Sequence, residues 1–182
     1  MRIIAGINRG RKLETLEGLS TRPTLDGTKE AIFSSLGGML PGFTILDVFG
    51  GSGALSLESI SRGAKKAYIL DNNLDAINII KKNAQNLNSM KELTILYGDY
   101  KQIIKRFDNS KMFDIIFLDP PFRLKVIDEL IIYIIENDLL SEGGYIVAEY
   151  PKEDVVQKDY EGYKVKLCRR YSSSEVLILE KE

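Results

Sequence analysis

The stretch FDIIFLDPPF, Phe113 to Phe122, ends an apolar run on an aspartate and follows it at once with two prolines and an aromatic ring. Proline has no N–H to donate and fixes φ, so Pro120 and Pro121 make a stiff corner and leave the Pro120 carbonyl free of any ladder partner. That carbonyl and the Asp119 carboxylate are two acceptors side by side, and Phe122 offers a ring face. The set suits a planar base bearing an NH2: the acceptors take the two amino hydrogens and the ring stacks on the base. An exocyclic amine is a poor nucleophile because its lone pair is delocalised into the ring. Hydrogen bonds that draw its hydrogens to one side favour a pyramidal nitrogen with a directed lone pair. A sulfonium methyl held in line is then attacked directly, with positioning supplying most of the acceleration, and Asp119 or water takes the released proton.

Other strand ends add to this. LDVFGGSGAL carries Gly50, Gly51 and Gly53, which let backbone approach a ligand closely and turn into a helix. A dinucleotide fingerprint asks for Gly or Ala three residues after Gly53, where this chain has Ser56. Asp71 follows Gly53 by 18 residues, a spacing at which an acid accepts hydrogen bonds from ribose hydroxyls; Asn72 or Asn73 could cap the next helix. In YGDY, Asp99 could accept from an adenine amino group with Tyr100 flanking the ring, or it could cap the helix that follows. The glycine loop and Asp71 together suggest an adenosine-containing cofactor.

Composition narrows the chemistry. Of 182 residues 44% are hydrophobic and 28% charged, as in ordinary globular domains, and the net charge is −1. There is no His and a single Cys, which excludes internal disulfides, Cys/His zinc sites and every imidazole base. No metal is expected. Cys168, in YKVKLCRRY, reads as a small core residue. No apolar run is long enough to span a bilayer and the N-terminal patch is too short for a signal peptide, so a cytoplasmic protein without a membrane partner is expected. Arg2, Arg9, Arg11 and Lys12 form a local basic patch without an acid, either a solubilising hairpin or a phosphate-binding surface.

The elements that must position these residues follow from periodicity. RIIAG and RKLETL flank INRG and read as two short strands and a turn. DGTKEAIFSSLGGML reads as a helix with Asp26 as N-cap. From Phe43 strands and helices alternate. NLDAINIIKKNAQNLN places Ile77, Ile80, Ala84 and Leu87 on one face, and VIDELIIYIIENDLL places Ile127, Leu130, Ile131, Ile134 and Ile135 toward a core. YKVKLCRRY and SEVLILEK are separated only by a short serine link, which demands an antiparallel pair. The expectation is an α/β fold: a mostly parallel sheet with helices on both faces, a terminal antiparallel hairpin, and ligands at the carboxyl ends of the strands.

DVFGGSGAL, ILD and DPPF resemble the motifs of class I S-adenosylmethionine-dependent amino-methyltransferases. With RIIAGINRGRKL and RPTLDGTKEAIF the chain is similar, over nearly its whole length, to the bacterial 16S ribosomal RNA guanine-N2 methyltransferase family. The resemblance implies a Rossmann-like, seven-stranded sheet with the last strand antiparallel over residues 41–182. Residues 1–40 would form a hairpin and helix that bind RNA and cover the site. The cofactor would be held by Asp47, Gly51, Ser52, Gly53 and Asp71, with Asp99 and Tyr100. Asp119, Pro120, Pro121 and Phe122 would hold the target guanine. Arg22, Pro23, Thr24, Asp26 and Lys29 would line or cover the site, and Arg9, Arg11, Lys12 and Arg123 would hold RNA, with Lys125 beside them. The implied substrate is 16S rRNA in a largely assembled small subunit, and a monomer is expected. The family commonly has Ala at Gly50, Gly at Ser56 and Glu at Asp71. Rival readings are an adenine-N6 methyltransferase on DNA, a NAD-type oxidoreductase, which the missing third glycine opposes, and a non-catalytic RNA-binding or assembly module, which needs no DPPF corner.

Overall fold

The computed structural model describes residues 1–16 and 23–182. Its centre is a seven-stranded sheet made of β1 (Thr44–Asp47), β2 (Lys66–Asp71), β3 (Leu93–Tyr97), β4 (Phe113–Leu118), β5 (Leu140–Pro151), β6 (Tyr163–Arg170) and β7 (Ser174–Lys181). The order across the sheet is β3-β2-β1-β4-β5-β7-β6. The first five strands are parallel, β7 runs antiparallel to β5, and β6 pairs antiparallel with β7. The order reverses between β1 and β4, which places a ligand crevice outside their carboxyl ends.

The helices are α1 (Pro23–Ser35), α2 (Ala54–Ser61), α3 (Leu74–Asn86), the short α4 (Tyr100–Ile103) and α5 (Ile127–Glu136). They divide the core into two apolar layers. On one face Phe33, Leu57, Ile80 and Ala84 pack against Ile45, Ile69, Ile115 and Phe117. On the other, Ile127, Leu130, Ile131 and Ile134 pack against Leu46, Ile116, Leu118 and Ile146. Ile77 and Leu87 of the α3 stripe are buried as their spacing predicts. Among the described residues no helix is long and apolar enough to cross a membrane.

Three local expectations are corrected. The N-terminal pair of strands reduces to one antiparallel bridge, Arg2 with Lys12, closed by Ile3 N donating to Arg11 O (2.9 Å) and Gly10 N to Ile3 O (2.8 Å). This segment also spends backbone groups on α2 and α3: Ile7 N donates to Ser61 O, and Glu14 N donates to Asn83 Oδ1. Asp26 is not the N-cap of α1, because the helix already begins at Pro23, where a residue without an N–H is well suited; Asp26 lies in the first turn and pairs with Arg2 at 3.4 Å. Cys168 is exposed, because β6 is an edge strand most of whose side chains face solvent.

The N-terminal segment is held down by one buried acid. Glu58 of α2, fully buried, accepts from Ile4 N (2.8 Å) and Ala5 N (3.0 Å) and pairs with Lys29 (3.1 Å) and Arg62 (2.8 Å). Close passage over α2 requires Gly6: its φ is +84°, and a Cβ there would stand 1.8 Å from Ser61 O.

Candidate active site

β1 hands its last residue, Asp47, to a loop that doubles back under tight hydrogen bonds. Gly50 N donates to Leu70 O (2.8 Å), Gly53 N to Gly50 O (2.7 Å), and Gly51 N to Asp71 Oδ2 (2.9 Å). Gly51 has φ +56° with nothing within 4 Å of a would-be Cβ, so its bare backbone faces open space. Gly53, at φ +78°, starts α2. Gly50 is required for a different reason: a Cβ there would lie 2.4 Å from Ile69 Cγ2, so the alanine common in the resembled family has no room beside this isoleucine.

Loop and DPPF corner open onto one cleft of about 670 Å³ along the carboxyl ends of the strands. Its lining includes Asp47, Gly51, Ser52, Asp71, Tyr100, Asp119, Pro120, Pro121, Phe122, Arg123 and Glu149, the β6–β7 turn from Tyr171 to Ser174, and Met1, Thr15 and Leu16 of the N-terminal segment. The register Asp47↔Phe117 explains why the first and fourth strand ends meet there. Phe49 and Tyr100 form an aromatic pair at one end, ring centroids 4.9 Å apart.

Asp47 is 1% exposed, with Ser56 Oγ donating to Oδ2 at 2.9 Å and Oδ1 without a hydrogen-bond partner. Ser56, where the resembled family has glycine, thus fixes one oxygen of this carboxylate. Burial pushes the Asp47 carboxyl up to about 7, with the charge of Asp71 adding to it and the Ser56 and Phe49 hydrogen bonds opposing it. Asp119 is exposed to the cleft it lines. Desolvation first, then the charges of Glu149 and Asp47, hold its carboxyl well above the ordinary range. Pro120 is buried, and Phe122 stands 39% exposed over the cleft.

The remaining expected residues divide clearly. Asp71 lines the cleft while bracing the loop, and also accepts from Asn73 N (2.8 Å); Asn73 caps α3 by accepting from Asp75 N. Asp99 is the N-cap of α4, its carboxylate accepting from Lys101 N at 2.9 Å, and the cleft lining passes from Gly98 to Tyr100 without it. Arg9, Arg11 and Lys12 are exposed on the N-terminal segment, with Arg11 donating to Asn86 O (2.6 Å). Lys29 is not available to RNA. It is 4% exposed, tied to Glu58 and to Arg2 O, and burial lowers its pKa. The α1 periodicity alone could not show that its inward face meets a buried acid. Thr24 falls in the first turn of α1, Arg22 lies outside the described residues, and Lys125 pairs with Asp154 at 3.4 Å.

Sequence reasoning missed Glu149, Tyr171 and Ser174. Glu149 stands near the carboxyl end of β5, and the rule that marks Asp71, Asp99 and Asp119 as strand-end acids marks it equally. Tyr171 and Ser174 reach the cleft only because β7 inserts between β5 and β6, a pairing that local sequence does not encode.

The family described as Conserved hypothetical protein 95 matches residues 1–180. The Ribosomal RNA small subunit methyltransferase D of Haemophilus influenzae is 37% identical over 154 residues, 84% of this chain and 80% of that one. The solved structure of yhhF from Escherichia coli superposes with a TM-score of 0.85 at 28% identity, covering 100% of this chain and 98% of that chain. SMU.776, solved with S-adenosylhomocysteine, is 16% identical with a TM-score of 0.68 over 83% of this chain and 48% of its own, and so shares the fold. The chain belongs to the Conserved hypothetical protein 95 family and is a relative of the small-subunit ribosomal RNA methyltransferase D proteins.

Proposed function

We propose that this protein transfers a methyl group from S-adenosylmethionine to the exocyclic N2 amine of a guanine in 16S rRNA, within the small ribosomal subunit. The observation that carries the reading is the convergence of the Gly51 loop and the Asp119-Pro120-Pro121-Phe122 corner on one cleft. A binding module has no use for a stiffened pair of acceptors aimed at the same space as a cofactor loop. The methyltransferase named among the relatives supports the same chemistry.

The cleft fits the cofactor. The unpartnered Asp47 Oδ1 is a buried acceptor suited to an ammonium group, and the open Gly51 backbone admits a ligand closely. Asp71 suits ribose hydroxyls, and Phe49 with Tyr100 forms a wall suited to a purine ring. Gly53 and Ser52 shape the loop rather than offering a charge. When bound, the cofactor supplies an electrophilic methyl group on sulfur. The chain supplies the rest: Asp119 and the Pro120 carbonyl orient the amine and Phe122 stacks on the base. A base drawn from a helix costs a few kcal/mol to unstack, of which stacking on Phe122 returns about 1–3 kcal/mol. Asp119, whose carboxyl already holds its proton more tightly than usual, is suited to receive the proton that leaves the amine. Arg9, Arg11, Lys12 and Arg123 are the exposed cations placed to meet phosphates, in a cytoplasmic monomer.

The test is transfer of labelled methyl to small subunits that lack N2-methylguanine, with free 16S rRNA and DNA alongside and Asp119→Ala as control. Label recovered as N2-methylguanine on the particle and lost in the variant is the expected result. Label on DNA as N6-methyladenine overturns the substrate.

A further inference from the structure

The cleft holds a second carboxylate beside the DPPF corner. β4 and β5 are parallel neighbours in the register Leu118↔Ala148, so the residues that follow these, Asp119 just beyond β4 and Glu149 within β5, come abreast and line the same space. Glu149 is held in place: buried Ser174 of β7 donates its hydroxyl to Oε1 at 2.7 Å. The neighbouring Tyr171 hydroxyl is buried and without a hydrogen-bond partner. Two like charges lining one space repel, and the charge of Glu149 contributes to the upward displacement of the Asp119 carboxyl.

What relieves such a pair is a ligand edge with several adjacent N–H groups. The guanine edge has them: N1–H stands next to the two hydrogens of N2. Adenine has only its amino hydrogens, and its N1 is a lone pair that a carboxylate repels. Asp119 and the Pro120 carbonyl account for the amino hydrogens, which leaves N1–H without an acceptor in the proposed mechanism. We infer that Glu149 accepts the N1–H of the target guanine and so selects guanine over bases that lack that hydrogen, an inference that rests on the guanine-N2 reading above. A polar group built to meet a ligand hydrogen rejects analogues without it, because an acceptor facing a lone pair gains no hydrogen bond in exchange for its water. Ser174 positions the Glu149 carboxylate for this.

The test uses 2-aminopurine, which keeps the 2-amino group and lacks the N1 hydrogen. Wild-type enzyme first labels unmethylated small subunits and the modified nucleotide is mapped. Subunits are then reassembled with guanine or 2-aminopurine at that position. Wild type is expected to prefer guanine by on the order of 100-fold or more in kcat/KM. Glu149→Gln can turn its amide to donate to a bare N1, so the preference is expected to fall by at least about 10-fold, with affinity for S-adenosylhomocysteine unchanged. Ser174→Ala, which leaves the carboxylate but frees its orientation, is expected to lower the preference by a smaller factor, and it carries the test if the Gln variant does not fold. Equal preference in wild type and Glu149→Gln, or no discrimination by wild type, overturns the role of Glu149 while leaving the guanine-N2 reading intact. Absence of N2-methylguanine with wild type overturns that reading itself, and this inference with it.

Discussion

Asp47→Asn is expected to stabilise the protein at neutral and alkaline pH while weakening its hold on the cofactor. Asp47 is buried at the end of β1 and its carboxyl is raised from 3.8 to about 7, chiefly by burial. The folded chain therefore binds this proton more tightly than the unfolded chain. Between about pH 4 and 7 the folded state carries more protons, and stability falls as pH rises through that window. The displacement of about three pH units corresponds to about 4 kcal/mol at 1.36 kcal/mol per unit, and water entering the cleft reduces this to about 2–3 kcal/mol. For a chain of this size about 2–4 °C of Tm accompanies each kcal/mol. Asparagine carries no charge at any pH, and its carboxamide oxygen can still accept from Ser56. The assay is thermal melting of both proteins from pH 4 to 8. The Tm of wild type should fall below that of the variant by about 5–10 °C over this range, and titration with S-adenosylmethionine should show weaker binding by the variant. A Tm difference that stays constant across the range would refute the argument that Asp47 is held near neutral pKa by its burial.

Three further outcomes are expected. Glu58→Ala strands Lys29 and Arg62 as buried cations and should cost about 3–5 kcal/mol, read as a Tm drop of roughly 10 °C or more; a drop of under about 3 °C would show that the N-terminal segment is held by its other contacts. Phe122→Ala should lower turnover by about 5- to 100-fold, the worth of one stacked base, with cofactor affinity unchanged by calorimetry; equal loss of both would remove the separation of roles. Gly50→Ala drives a methyl to 2.4 Å from Ile69 Cγ2 and 3.0 Å from Ile80 Cδ1, an overpacking worth about 1–3 kcal/mol that differential scanning calorimetry resolves; an unchanged Tm would mean that the strand yields at no cost.

Much of the architecture was legible because its signals are local. Apolar periodicity marked α3 and α5, and the serine link between the last two strands required an antiparallel pair. Proline chemistry alone made the Asp119 corner a stiff set of acceptors. Elsewhere local signals had two readings that only packing separates. Asp99 caps α4 and Asp71 braces the loop, although both are acids at the end of a strand.

The tertiary structure alone decided which charges are free to act. Lys29 lies in the segment expected to meet RNA yet is sealed against Glu58, and Cys168 is exposed because its strand has no neighbour on one side. Burial and pairing depend on partners far along the chain, such as Ile4 and Glu58, 54 positions apart. The meeting of Asp119 with Glu149 depends likewise on the pairing of β4 with β5, and that of Glu149 with Ser174 on the insertion of β7 between β5 and β6. Residue types and spacing thus determined which chemistry the chain carries. Long-range strand order determined which groups share the cleft, because neighbours across a sheet are set by where each strand docks and not by anything written beside them.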